Sequence, residues 1–154
     1  MLDSIRRFFD RHLVAEAATE DAEHRLRLAC AALLIEVARA DYATPAEELA
    51  VVGRAVRETF GLSSAETVEL LRLAEEEADN VTSYHEFTAL INKHYTKQEK
   101  IRLVSLMWQV VFADAKLQKY EEHLVRKLAD LLYVPHSEFI AAKLRAQAER
   151  DGSG

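Results

Sequence analysis

The chain of 154 residues has the length of one domain, and its 49% hydrophobic and 30% charged residues are typical of a globular rather than a disordered protein. Its 20 basic and 26 acidic residues give a net charge of −6, which argues against nucleic-acid binding because phosphate contacts require clustered positive charge. Four glycines and two prolines are too few for the turns of a β-rich fold, so the composition favours helices.

Eight helices are predicted, and capping sequences mark several of their starts. The predicted ranges are 3–13, 20–40, 45–60, 64–79, 84–94, 97–114, 118–132 and 136–149. The S/T-x-x-E pattern, in which a hydroxyl and a carboxylate satisfy the first free amides of a helix, begins at Thr44, Ser63, Ser83 and Thr96. Gly61 stands where a left-handed residue is expected to end the third helix.

The first predicted helix combines apolar and basic side chains. Phe8 and Phe9 share its apolar side, and three arginines lie nearby. A basic amphipathic helix can lie on a membrane or dock a partner. Because this helix has only about three turns and includes acidic residues, we expect it to pack on its own domain, with membrane association through residues 1–13 as the alternative.

Two features of the sequence bear on the cellular compartment. The N-terminus, MLDSIRRFFDRHL, has no uninterrupted apolar stretch that would form the core of a signal peptide, and nothing in the chain approaches the 18 consecutive apolar residues of a membrane-spanning helix. Its single cysteine, Cys30, cannot form an internal disulfide and is expected to be a buried core residue. We therefore predict a cytoplasmic protein.

Two of the predicted helices, 20–40 and 97–114, are apolar nearly all round over residues 26–40 and 101–113. We therefore expect these two helices to be buried at the centre of the bundle. A shift of 73 residues overlays the two halves of the chain, and the matched pairs include Val37 with Val110, Asp41 with Asp114, Glu48 with Glu121 and Phe60 with Tyr133. Residues 1–150 are therefore predicted to form one all-α domain with an internal pseudo-twofold repeat. The repeat units span about 20–80 and 97–149, and residues 151–154 are expected to form a disordered tail.

The repeat places an Asp at the end of each buried helix and a Glu seven residues later, as Asp41 with Glu48 and as Asp114 with Glu121. A carboxylate near a helix C-terminus opposes the helix dipole by up to about 1 kcal/mol, so its repetition indicates a compensating partner. In one interpretation, each Asp accepts loop amide hydrogens and each Glu stabilises the first turn of its own helix. In the other, the four carboxylates bind a hard cation such as Ca²⁺, Mg²⁺ or Mn²⁺.

The chain resembles the tellurite-resistance TerB-like family from its first residue to about residue 150. The resemblance is carried by the opening MLDSIRRFFDRH and by the repeated Ala-Asp…Glu spacing in ARADYATPAEE and FADAKLQKYEE. A closing Leu-rich amphipathic helix followed by Ser-Glu-Phe adds to it. The family often places Gly after the motif Asp, whereas this chain has Tyr42 and Ala115 there.

The resemblance implies an all-helical domain, an association with tellurite and related chemical stress, and no established catalytic reaction. It also implies a cation site at the matching positions Asp41, Glu48, Asp114 and Glu121. A related domain opens a membrane-anchored DnaJ-like co-chaperone. A metal-free protein-interaction or co-chaperone-like module, in which the carboxylates are structural, is therefore the alternative function.

Other features of the sequence do not indicate catalysis. The six histidines have no metal-ligand spacing, and the chain lacks a nucleophile elbow, a P-loop and a G-x-G-x-x-G motif. We therefore predict a non-enzymatic protein that binds an unknown protein partner. A modest basic cluster, which we interpret as the solvated start of a helix, consists of Lys93, His94, Tyr95, Lys97, Lys100 and Arg102.

Overall fold

A computed structural model describes residues 7–10, 22–41, 45–76, 83–113 and 115–153, and within these ranges the regular structure is helical throughout. The all-α prediction is thereby confirmed. The elements from residue 22 onward in these described ranges are α1 (Ala22–Asp41), α2 (Pro45–Phe60), α3 (Ser64–Glu76), α4 (Ser83–His94), α5 (Lys97–Ala113), α6 (Ala115–Leu131) and α7 (His136–Ser153). Residues 7–10 are also helical and belong to the first predicted helix.

The observed helices differ from the predicted ones chiefly at two ends. Helix α6 begins at Ala115, three residues before its predicted start, because Ala115, Lys116 and Leu117 are all good helix formers. Helix α7 runs to Ser153, so the backbone of 151–153, which was expected to be part of a disordered tail, is helical.

Helices α1 and α5 form the centre of the bundle, as the sequence predicts. Every residue from Leu28 to Val37 of α1 is buried, and α5 buries nine residues between Ile101 and Val111. Helix α1 packs against α2, α3, α4, α5 and α6, whereas α5 packs against α1, α2, α6 and α7. The side chains of Cys30 and Trp108 are fully buried in these two helices, so both are core residues.

The packing follows the internal repeat. Helix α1 packs on α2 and α3 in the first half, and α5 packs on α6 and α7 in the second. The two halves also cross over, because α2 packs on α5 and α6 packs on α1. Helix α4 packs on α1 and α6 and has no counterpart among the helices of the second half.

Left-handed residues follow the second helix of each repeat. Gly61 has φ 65° and Tyr133 has φ 58°. After each of them, the next amide donates a hydrogen bond to the carbonyl five residues earlier, at 3.1 Å in the first repeat and 2.9 Å in the second. This is the bonding of a Schellman motif, which satisfies the free carbonyls at a helix end.

The two left-handed residues correct the offset of the repeat. Gly61 and Tyr133 lie 72 positions apart, one fewer than the offset of 73 inferred from the sequence. That inferred offset pairs buried Phe60 with Tyr133, whose surface is 77% exposed. With the structural offset, Phe60 corresponds to Leu132, and both side chains are buried. At the end of the second helix of each repeat, the buried residue and the left-handed residue that follows it therefore share the offset of 72.

The described part of the first predicted helix packs on the domain. Phe8 and Phe9 are both buried. The Phe8 ring contacts the Phe87 ring of α4 edge-on, with 6.1 Å between the ring centroids. The centroids of the Phe9 and Tyr95 rings lie 6.0 Å apart. The remaining residues of 1–13 lie outside the described ranges. None of the helices in those ranges is both long enough and apolar enough to cross a membrane.

Candidate functional site

The four predicted cation ligands belong to the junctions between α1 and α2 and between α5 and α6. Asp41 is the last residue of α1, Glu48 is the fourth residue of α2, and Glu121 is the seventh residue of α6. The side chains of these three residues, and all of Asp114, lie outside the described part of the structure. Among the side chains that are described, no group of three or more His, Cys, Asp or Glu residues could hold a metal ion.

The two junctions differ in length. Three residues, 42–44, separate α1 from α2, whereas a single residue separates α5 from α6. Because α6 begins earlier than predicted, Glu121 lies in its second turn, and the interpretation that this Glu stabilises the first turn of its own helix is wrong. The last described residues of α1 and α5 are Asp41 and Ala113. Carboxylate oxygens are among the ligands that hard cations prefer, so the residue types at the two junctions are compatible with such an ion.

Two ion pairs and one histidine–carboxylate hydrogen bond hold the first turn of α1. Three consecutive α1 residues each pair with a different side chain, as Glu23 with Arg102 at 3.0 Å, His24 with Glu66 at 2.6 Å and Arg25 with Glu99 at 2.7 Å. We call these six residues the α1 anchor. It ties the start of one central helix to α3 and to the start of the other central helix.

Two members of the α1 anchor are capping glutamates predicted from the sequence. In each capping box, Glu Oε1 accepts the amide hydrogen of Ser63 or Thr96 at 2.9 Å, and the hydroxyl of that residue accepts the Glu amide hydrogen at 3.1 Å. These two caps are confirmed. The other oxygen, Oε2, of Glu66 and of Glu99 contacts α1. Each carboxylate therefore caps its own helix and joins that helix to α1.

Arg25 is the most deeply buried charge of the α1 anchor. Its side chain is 4% exposed, and its guanidinium carbon lies 4.9 Å above the Tyr95 ring. Among the described residues, no acceptor forms a hydrogen bond with Nε or Nη1 of Arg25. Burial raises the pKa of Tyr95 to about 12, although the nearby guanidinium acts in the opposite direction. Because this raised pKa keeps the Tyr95 hydroxyl uncharged at neutral pH, the group that compensates the Arg25 charge is the Glu99 carboxylate.

The α1 anchor makes the fold sensitive to acid. Burial acts to raise the pKa of Glu66 and of Glu99. Hydrogen bonds from Ser63 and His24 nevertheless lower the pKa of Glu66 below its ordinary value of 4.5. Hydrogen bonds from Arg25 and Thr96 likewise lower the pKa of Glu99 below 4.5. Because the pKa of each carboxyl is lower in the folded than in the unfolded chain, its ionised form stabilises the fold fully above about pH 4.5. This stabilisation is lost as the pH falls through the pKa values of the folded protein.

We expect the midpoint of thermal unfolding to fall as the pH drops below about 4.5, and to fall less steeply in a Glu99→Gln variant, which has no carboxylate to protonate at that position. Circular dichroism melts across a pH series measure this slope. An identical slope in the variant and the wild type would show that Glu99 does not carry the acid sensitivity.

The predicted basic cluster divides between two places. Tyr95 is buried beneath Arg25, so the interpretation of the whole cluster as a solvated helix start is wrong for this residue. Arg102 joins the α1 anchor, although its side chain remains 41% exposed. Lys100 is directed to a different group of residues. Its Nζ donates to Asn92 Oδ1 at 3.1 Å and lies 5.9 Å from the centroid of the Tyr133 ring.

One protein-family model matches most of the chain. The family model described as "Tellurite resistance protein TerB" matches residues 27–144, about three quarters of the sequence. No curated protein and no solved structure matched the chain. The matched span includes α1 from residue 27 onward, all of α5 and both junctions that carry the repeated carboxylates, whereas Glu23, His24 and Arg25 precede it. The chain belongs to the tellurite resistance protein TerB family.

Proposed function

We propose that this chain is a non-enzymatic binding domain of the response to tellurite or related chemical stress, and that it binds a divalent cation. The proposed ligands come from both junctions and are Asp41, Glu48, Asp114 and Glu121. The observation that carries the proposal is that both central helices end where the repeated carboxylates begin. We assign the function to the cytoplasm, since a chain with one cysteine forms no internal disulfide.

Two aspects of the packing support a site shared by the two junctions. The ion pairs from Glu23 to Arg102 and from Arg25 to Glu99 join the starts of α1 and α5, so the two central helices begin at the same end of the bundle. Each junction also leads into a helix that packs on the other central helix, since α2 contacts α5 and α6 contacts α1.

The chemistry of the junctions favours a cation that tolerates irregular coordination. The C-terminal ends of α1 and α5 carry partial negative charge, and the carboxylates add to it, so a bound cation would offset an otherwise unfavourable arrangement. Because the helix bounds leave three residues between α1 and α2 and one between α5 and α6, we do not expect the two pairs of carboxylates to be arranged identically. Ca²⁺ accepts six to eight oxygen ligands in flexible geometry, whereas Mg²⁺ requires a nearly ideal octahedron, so Ca²⁺ is the ion we expect to bind more tightly.

Calorimetric titration of the metal-stripped protein with Ca²⁺, Mg²⁺ and Mn²⁺ tests the proposal. We expect saturable binding by the wild type that is lost in the Asp41→Asn/Asp114→Asn variant, because Asn supplies no negative charge. The control is Asp130→Asn, which removes an exposed carboxylate of α6 away from the junction and should bind as the wild type does. Unaltered affinity in the double variant would remove these residues from the site.

A metal-free protein-interaction or co-chaperone-like module is the second candidate function. It is favoured by the position of Asp114 immediately before the first residue of α6, where Asp commonly caps a helix. In this case the titrations should produce no binding heat. Asp114→Ala should then cost roughly 1 kcal/mol of stability and Asp114→Asn almost nothing, since Asn caps as well as Asp.

A further inference from the structure

The backbone at Tyr133 is the first sign of a further surface. A φ of 58° places this residue in the left-handed region, which side chains with a Cβ rarely adopt and for which Gly is the usual residue. The equivalent position of the first repeat holds Gly61. The surface of Tyr133 is 77% exposed, so the fold gains little by burying its ring. Neither backbone preference nor core packing accounts for an aromatic residue at this position.

The surroundings of Tyr133 are held by contacts between three helices. Asn92 of α4 donates from Nδ2 to the carbonyl oxygen of Leu131 at 2.9 Å, near the end of α6. The same Asn92 accepts a hydrogen bond from Lys100 of α5, whose Nζ lies near the Tyr133 ring. Asn92 and the ammonium group of Lys100 are thus held by neighbouring helices beside the exposed ring.

The surface around Tyr133 is basic although the chain is acidic. Lys97 lies one turn before Lys100 on the same side of α5 and is exposed. The exposed carboxylate nearest in the sequence is Asp130, whose backbone oxygen accepts the Tyr133 amide hydrogen at 3.1 Å. Two lysines beside this one carboxylate leave the surface positive on a chain of net charge −6.

We propose that this surface, which we call the Tyr133 platform and define as Tyr133, Asn92, Lys97 and Lys100, docks a short acidic peptide segment of a partner protein. Carboxylates of the segment pair with the lysines, and an apolar side chain packs on the exposed ring. Tyrosine is one of the residue types that are enriched among the hot spots of protein interfaces.

Charge complementarity selects a short peptide over larger polyanions. At physiological ionic strength, charges interact strongly only within about 8 Å, so a short segment experiences mainly the local lysines. Nucleic acids and anionic membranes extend over a wider area and therefore also meet the negative charge of the rest of the chain. This argument favours the acidic peptide as the occupant of the Tyr133 platform.

Fluorescence anisotropy with a short fluorescein-labelled peptide of Glu, Asp and Leu residues tests this proposal. We expect saturable binding that weakens as salt is added, and about a tenfold loss of affinity in Tyr133→Gly and in Lys97→Gln/Lys100→Gln. The matched control is Arg54→Gln/Arg72→Gln, which removes the same charge from exposed positions on α2 and α3 and should leave affinity unchanged.

The Tyr133→Gly variant separates binding from folding. Because Gly adopts positive φ without strain, its thermal midpoint should equal or exceed that of the wild type, so a loss of binding would not reflect unfolding. The absence of peptide binding by the wild type would overturn the proposal, and so would an equal loss in the arginine control. Tighter binding of single-stranded DNA or of phosphatidylserine vesicles than of the peptide would also overturn it.

Discussion

Replacing Glu99 with Ala is expected to lower the free energy of unfolding by about 3 kcal/mol, the lower end of the range for breaking a buried ion pair. The substitution leaves the Arg25 guanidinium, whose side chain is 4% exposed, without its carboxylate and also removes one half of a helix cap. Glu99 itself is 24% exposed, which is why the lower end of the range applies. Urea unfolding followed by the fluorescence of Trp108, the single tryptophan and a fully buried one, measures the loss.

The matched control for this substitution is Glu66→Ala, since Glu66 forms the same capping box in α3. Its α1 partner, His24, is 37% exposed, so water replaces the lost contact and a loss of only about 1 kcal/mol is expected. Adding Arg25→Met to Glu99→Ala removes the uncompensated charge and should recover much of the lost stability. Equal losses for the two glutamates would mean that burial of Arg25 does not set the energy of the α1 anchor.

The second large effect is expected in the two central helices. Leu33→Ala in α1 and Leu106→Ala in α5 should each lower the free energy of unfolding by about 3 kcal/mol, because each removes a fully buried side chain and leaves a cavity. Both losses are measurable from the same urea transitions.

Leu144→Ala is the control for the core substitutions. Leu144 lies on α7 and is 58% exposed, so its truncation should change stability by no more than about 0.5 kcal/mol. If either central leucine were as tolerant as Leu144, its helix would not be a central element of the fold.

Local patterns allowed much of the fold to be predicted from the sequence. The capping boxes at Ser63 and Thr96 and the left-handed Gly61 depend on residues within one helix turn, and all three were predicted correctly. The left-handed conformation of Tyr133 was missed because Gly is the usual signal for it. The start of α6 was missed because helix propensity alone does not show where a helix begins when no capping box marks its first turn.

Tertiary contacts explain why the α1 anchor could not be predicted. Its contacts join residues 42 to 79 positions apart, and nothing in the local sequence assigns a partner to Glu23, His24 or Arg25. The basic cluster was misinterpreted at Tyr95 for the same reason, since the burial of this residue depends on α1. The repeated carboxylates, in contrast, were identified because both copies follow an apolar helix at the same spacing.

Backbone amide NMR of the metal-free protein during addition of Mn²⁺ is the most direct test of the proposed cation site, because this paramagnetic ion broadens the signals of nearby amides. If the two junctions share the ion, signals from the end of α1 and the start of α2 should disappear together with those from the end of α5 and the start of α6. Signals from the middle of α3 should persist at the same Mn²⁺ concentration. Broadening at one junction only, or broadening spread evenly over the acidic surface, would contradict a cation site built from Asp41, Glu48, Asp114 and Glu121.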